Sequence, residues 1–200
     1  MTRPLRIEFP GALWHVTSRG VEKRNVFIDH QDRRAFISRL GRTVEKCHWE
    51  LHAYVLMANH YHLLLTTPEM TLSKGMQWLG GSYAQYFNER YGRWGHLFGG
   101  RFKAHLVDTD AYLVTAARYI VLNPVRAGIT ATADEWPWSS YLATAGLKWT
   151  PRWLSVAAIL DRFHLTDREI ARRYYREYVC AQPDPTTNGV AAGVRPLYRT

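Results

Sequence analysis

Met57-Ala58-Asn59-His60-Tyr61-His62-Leu63-Leu64-Leu65 sets two histidines one residue apart inside an apolar run. In a strand, successive side chains point to opposite faces, so His60 and His62 share one face and Tyr61 and Leu63 the other. The two imidazoles then stand about 6.5–7 Å apart along the strand, within reach of one metal ion after modest side-chain swing. The plainer reading of the same pair is two hydrogen-bonded histidines at a sheet edge.

The flanking residues make this a hairpin. Trp49–Met57 is β-rich, Tyr61–Thr67 is a second strand stopped by Pro68, and Ala58-Asn59 between them is a two-residue turn. His60 falls at or near the start of the second of these strands. Further out, Ala12–Arg19 alternates and ends at Gly20, before the charged loop Val21-Glu22-Lys23-Arg24-Asn25. Asp29 to Lys46 reads as a helix capped by Asp29, with Ala35-Phe36, Leu40 and Val44 at helical spacing. Its arginines (Arg33, Arg34, Arg39, Arg42) read as a solvated face.

Thr71–Tyr91 repeats the helical pattern through Leu72, Met76, Leu79, Tyr83 and Tyr86-Phe87. Gly80-Gly81 inside it costs roughly 1 kcal/mol per glycine. A Gly- and aromatic-rich loop from 92 to 100 leads to Arg101–Val107, which alternates as a fourth strand. The order β-α-β-β-α-β predicts an α+β, ferredoxin-like fold: an antiparallel four-stranded sheet with helices on one face.

Asp108-Thr109-Asp110 is a cap signal for a further helix from about Asp110 to Leu122. Pro124 biases Asn123 away from helical angles, so that helix ends or kinks there, and Pro124–Gly128 makes a short turn. An aromatic connector, Trp136–Tyr141, precedes two more helices. One is expected to start at Thr150-Pro151, the other at a capping box, Thr166–Glu169. The tail from Ala181 is rich in Pro, Gly and Thr and reads as mobile. These features divide the chain into residues 1–145, 146–180 and 181–200.

Lys and Arg number 26 against 17 Asp and Glu, a net charge of +9 that favours a polyanionic partner, nucleic acid before membrane. Eight Trp and twelve Tyr could stack on bases, although any single ring is more simply core. Cys47 and Cys180 are the only cysteines, which fits a reducing cytoplasm. The first residues lack a signal-peptide apolar region, and no stretch approaches membrane-spanning length.

On the helix before Pro124, Tyr112, Ala116, Tyr119 and Asn123 lie on one stripe. Two neutral imidazoles and an amide oxygen suit Mg²⁺ or Mn²⁺ when waters and a phosphate complete the shell. A phenolic oxygen beside such an ion is an adequate nucleophile toward phosphorus once its proton is taken. Spacing alone does not select Tyr119 from the twelve tyrosines.

His60-Tyr61-His62 resembles the His-hydrophobic-His signature of the HUH nucleases, and Asn59 with Leu63-Leu64-Leu65 resembles the Asn-His-x-His-Leu-Leu form in single-tyrosine transposases. Trp14–Gly20, Gly100–Lys103, Tyr119–Gly128, Trp136 and Ser139-Ser140-Tyr141 resemble the REP-associated tyrosine transposase branch. The likeness runs from about residue 10 to 145 in the expected order.

The resemblance implies that residues 1–145 form the transposase domain, including a catalytic tyrosine helix, with a C-terminal helical extension over 146–180. It implies that His60 and His62 bind Mg²⁺ or Mn²⁺. It also implies that Tyr119 cuts single-stranded DNA, leaving a 5′-phosphotyrosine link and a free 3′-OH. Asn123 stands where related transposases have a third, Gln, ligand. Gly20-Val21 replaces the family's usual Gly-Asn, which bears on DNA contact rather than chemistry.

The implied partner is a short palindromic hairpin. Arg19, Lys23, Arg24, Arg101, Lys103 and Arg126 are the candidates for holding it. A monomer is favoured over a homodimer, in a bacterial cytoplasm at the nucleoid. His15, His48, His52, His96 and His105 are read as structural, His15 being the nearest to a site because it lies on a strand of the same sheet. The arginine-rich last helix is a solvated face or a DNA contact. Two alternatives remain: a catalytically silent hairpin-binding protein on the same fold, and an RNA-binding module. The second lacks an RNP-like segment.

Overall fold

The computed structural model describes residues 7–107, 111–181 and 194–195. Alternation builds its centre. Strand β1 (Ala12–Arg19) pairs antiparallel with β3 (His60–Thr67) and with β4 (Lys103–Val107), setting Thr17 opposite His62 and His15 opposite His105. Strand β2 (Glu50–Leu56) pairs with β3, Leu56 opposite Tyr61. The order β2-β3-β1-β4 is the expected antiparallel four-stranded sheet. The Ala58-Asn59 turn is where the sequence puts it, closed by the Met57 amide donating to the His60 carbonyl. A two-residue strand, β5 (Val194–Arg195), adds to β4 within the segment read as a mobile tail; residues 182–193 and 196–200 of that segment lie outside the described residues.

One face of the sheet carries α1 (His30–Cys47) and α2 (Leu72–Tyr91). Trp14, Val16, Tyr61, Leu63 and Leu65 point into it and meet Phe36, Leu40, Leu79, Tyr83 and Phe87. Phe36 packs on Tyr61 with ring centroids 4.6 Å apart. Helix α2 runs unbroken through Gly80-Gly81 because its apolar stripe is fully buried, which outweighs the glycine cost. The two helices are also tied by charge. Arg90 at the end of α2 donates to Asp29 and Asp32 at the start of α1, at 2.5–2.9 Å. Asp32 is fully buried and also accepts from Tyr91 Oη and the Ile28 amide.

The opposite face carries α3 (Ala111–Val121). Leu113, Ala116, Ala117, Ile120 and Val121 pack with Ala53, Val55 and Leu64 of the sheet. The proposed cap at 108–110 lies outside the described residues. Pro124 starts a single turn, α4 (Asn123–Arg126), and Gly128 follows it with φ 66°. The aromatic connector then runs along the outer edge of β2. The Leu56 amide donates to the Trp138 carbonyl and the Ser140 amide to the Tyr54 carbonyl, so backbone groups of an edge strand are satisfied. Beyond it, α5 (Tyr141–Thr144), α6 (Ala157–Leu160) and α7 (Arg168–Cys180) bury Tyr141, Ile159, Ala171 and Tyr175 behind α3.

Three local expectations are corrected. Arg33 is buried rather than solvated: its guanidinium lies 5.7–5.9 Å from the Phe27, Trp136 and Trp138 ring centroids and donates to the Asp29 carbonyl. No helix starts at Thr150-Pro151. Instead a turn at 151–154, closed by the Leu154 amide on the Pro151 carbonyl, leads to an isolated bridge between Leu154 and Leu51 of β2, with the Ser155 amide on the Leu51 carbonyl, and only the four residues of α6 become helical. The cap of α7 is Asp167, not Thr166, because its carboxylate accepts from the amides of Glu169 and Ile170.

Candidate active site

The second face of β3 presents His60, then His62, then Leu64. Leu64 is buried under α3, and the two histidines lie beyond that apolar contact, where the sheet face is partly open. Each imidazole has its Nδ1 engaged. His60 Nδ1 donates to Asn59 Oδ1 at 2.6 Å, and Asn59 is itself held by its Nδ2 donating to the Lys23 carbonyl. His62 Nδ1 lies 2.8 Å from His15 Nε2. The His60 and His62 rings are 5.2 Å apart, roughly perpendicular.

Burial holds these rings neutral. It lowers the His60 pKa to about 4, with Arg19 adding to the effect. His62 is lowered further, by burial first and then by His15, His60 and Arg19. Burial, then His105, lowers His15 to about 4. At neutral pH the pair therefore offers lone pairs rather than charge. That donor chemistry fits a divalent cation taking two protein nitrogens and completing its shell with oxygen. Among the described residues no group of three or more His, Cys, Asp or Glu could cage a metal alone.

Tyr119 is brought to the pair by α3. The buried side chains of Ala116, Ala117 and Ile120 fix the helix on the sheet, and Tyr119 lies half-buried at the margin of that contact. Its ring centroid is 6.2 Å from that of His62 and 6.1 Å from that of His15, edge-on to both. The Arg126 guanidinium covers the Tyr119 ring at 4.6 Å. Asn123 Nδ2 donates to the Tyr119 carbonyl at 2.9 Å and the Ile120 carbonyl at 3.3 Å, which leaves Oδ1 as the atom it could offer a cation.

Basic residues border this centre. A cleft of about 480 Å³ opens beside the histidine pair and is lined by His60, His62, Arg19, Lys23, Arg101 and Lys103. Four of the six candidate DNA contacts thus share one wall with the histidines. Arg126 joins the centre through Tyr119. Arg24 does not join it: its guanidinium pairs with Glu22 at 2.6 Å, both exposed. The cleft's loop is tightly wound. Glu22 and Lys23 adopt φ of 53° and 62°, and a Cβ on Gly20 would overlap the Arg24 carbonyl. A second loop braces it, with the Val21 amide on the Leu97 carbonyl and the Gly99 amide on the Arg19 carbonyl.

Reading the sequence did not assign roles to His15 and Asn59 as partners of the pair. Asn59 has a signal, since an amide one residue before a ligand can reach its ring. His15 has none without the β1–β3 register, which sets Thr17 against His62 and leaves His15 on the diagonal.

Comparison with known proteins places the family and the fold. Residues 11–123 match the family described as transposase IS200 like. A protein of Haemophilus influenzae assigned as a REP-associated tyrosine transposase is 26% identical over 117 residues, 53% of this chain and 66% of that protein, so just under two thirds of the relative is spanned. The solved structure of a REP-associated tyrosine transposase bound to a REP hairpin superposes with a TM-score of 0.60 at 21% identity, covering 76% of this chain and 89% of that one, and so shares its fold. With the family match spanning more than half of the sequence, the chain belongs to the IS200-like transposase family.

Proposed function

We propose that this protein is a metal-dependent single-stranded DNA endonuclease and strand transferase. It acts on palindromic, REP-type hairpins through a 5′-phosphotyrosine at Tyr119. The observation that carries this reading is the edge-on approach of Tyr119 to His62 and His15 within one chain. One chain supplying both histidines and tyrosine favours a monomer acting with its own nucleophile. The hairpin in the related solved structure supports the substrate class.

In this reading His60 and His62 hold Mg²⁺ or Mn²⁺ through Nε2, with Asn123 Oδ1 as a third donor. When bound, the ion stabilises charge on the phosphoryl oxygens and orients the scissile bond. Arg19, Lys23, Arg101 and Lys103 draw the backbone into the cleft. Arg126 fixes the Tyr119 ring by cation–π contact and places a positive charge beside the phenol. Tyr119 Oη attacks phosphorus and loses its proton. The P–O3′ bond breaks, the leaving oxygen takes up a proton, and the new tyrosyl ester conserves the energy of the bond for rejoining. Residues 1–145 carry this chemistry, and 146–180 brace α3 from behind.

The test is incubation with Mn²⁺ and labelled single-stranded hairpin oligonucleotides, scored for a covalent adduct on denaturing gels. An adduct that requires Tyr119 and disappears with chelator supports the reading. Hairpin binding with no adduct under any metal supports the silent binding protein instead.

A further inference from the structure

We propose that His15 is a positioning residue for the metal centre: by accepting a hydrogen bond from His62 Nδ1 it fixes the ring and tautomer that turn Nε2 toward the cation. This rests on the reading of His60 and His62 as the metal-holding pair.

The two histidines have unequal partners. His60 Nδ1 faces Asn59 Oδ1, an oxygen that can only accept. His60 is therefore the donor, its proton sits on Nδ1, and its Nε2 lone pair is free. His62 Nδ1 faces a nitrogen, His15 Nε2, at 2.8 Å, so either ring could donate. If His15 donated, the His62 proton would sit on Nε2 and that atom could not ligate. If His62 donates, its Nε2 lone pair is free, as at His60. Only the second arrangement lets both histidines ligate through the same atom, and it makes His15 the acceptor.

The placement of His15 suits such a role. It stands on β1, a strand paired on both sides, opposite Leu64 of β3 and His105 of β4. Its ring lies near-parallel to that of His62, with an interplanar angle of 26° and centroids 5.1 Å apart, as an in-plane hydrogen bond between the two rings requires. It also meets the Tyr119 ring edge. One rigid side chain thus spaces the metal-holding arm from the nucleophile.

Two measurements test this. In metal-free protein, long-range ¹⁵N–¹H correlation of the histidine rings reports tautomers directly. His62 is expected in the Nδ1–H form, and the Nε2–H form overturns the proposal. Mn²⁺ affinity, read by electron paramagnetic resonance, is then compared across His15→Leu, His15→Gln and His62→Ala. Removing the acceptor in His15→Leu is expected to weaken Mn²⁺ by about 10–100-fold, the usual cost of losing a residue that orients a ligand. His15→Gln keeps an acceptor oxygen and is expected to bind close to wild type. Hairpin affinity in chelator should be the same for wild type, His15→Leu and His15→Gln.

Equal weakening in both His15 variants, or none in His15→Leu while His62→Ala weakens binding, overturns the His15 role and leaves the metal pair standing. Wild-type affinity in His62→Ala overturns the metal reading, and the His15 role with it. Should His15→Leu fail to fold, the wild-type tautomer alone decides.

Discussion

On β1, Trp14 and Val16 face α1 and α2, while His15 and Thr17, each one residue away, face the α3 side. On β3, Tyr61, Leu63 and Leu65 face the first helices while His60 and His62 face the tyrosine. The first face is an aromatic core in which the buried Asp32 is held by Arg90, Tyr91 and the Ile28 amide. The second is apolar only where α3 and Leu64 meet, and past that contact it exposes nitrogen lone pairs. The difference teaches how a small domain holds a reactive centre. Both faces bury a core, but on the second the core stops short of His60 and His62, and the pleat separates the two faces by a single residue.

The comparison breaks most sharply at Tyr119. Tyr119→Phe keeps the ring under Arg126 and removes only the hydroxyl. Adduct formation should fall by at least roughly 10⁴-fold, while stability stays within about 0.5 kcal/mol. Quantitative gel assay beside urea unfolding checks both halves. An adduct undiminished in Tyr119→Phe would move the nucleophile elsewhere.

The mirror experiment is on the first face. Arg90→Ala strips the cation from Asp32, a carboxylate with no exposure, and should cost about 3–5 kcal/mol of unfolding free energy. Cleavage per folded molecule at low temperature should be unchanged. A loss of cleavage at full folding would mean that the two faces are coupled.

The fold was largely legible because it rests on period two and period 3.6. Ala12–Arg19, the hairpin around Ala58-Asn59 and the α1 stripe all lie where alternation and spacing put them. The pairing of Tyr119 with the histidines was legible only through resemblance, since nothing local distinguishes it from Tyr112 on the same stripe, whose ring is more exposed. Arg33 was misread because helical position alone does not reveal the Trp136-Pro137-Trp138 segment, a hundred residues on, that covers it. Thr150-Pro151 looks like a helix start, but a single turn closed by the Leu154 amide on the Pro151 carbonyl delivers Leu154 and Ser155 to the edge of β2, and that long-range contact ends the turn. His15 was left structural because its partner is fixed by register, which short-range patterns do not encode.

Acid should loosen the two faces at different pH. Burial lowers the pKa of His15, His52, His60 and His62, which lie along the second face. Unfolded, each titrates near 6.5, so the unfolded chain binds more protons as pH falls below that value. Their contribution to stability is complete above about 6.5 and is lost as pH falls below it, for His15 and His60 down to about 4. Each group changes it by at most about 1.4 kcal/mol per pH unit. On the first face, Arg90 holds the Asp29 carboxyl well below the usual carboxylate range, so that contribution survives to lower pH. Urea unfolding at pH 7, 6 and 5 should show a steady fall in wild type and a shallower one in His62→Gln. Equal slopes would mean His62 is not held neutral.

The smallest expected effects lie in the cleft, and they sharpen the boundary of the second face. Arg101 and Lys103 line the wall shared with His60 and His62, whereas Arg24, a few residues along the loop, is turned to Glu22. If cleft residues contact phosphates, each alanine substitution releases about one fewer counterion on binding. The slope of log affinity against log salt should then shrink by about 0.7 for Arg101→Ala and for Lys103→Ala, with a loss of roughly 1 kcal/mol in moderate salt. Arg24→Ala should leave the slope unchanged, because its charge is already offset by a neighbouring carboxylate and lies off the wall. Equal slopes for all three variants would mean that the protein attracts DNA through its overall charge of +9. A difference between Arg24 and the other two would locate the strand against the histidine pair, where Tyr119 can reach it.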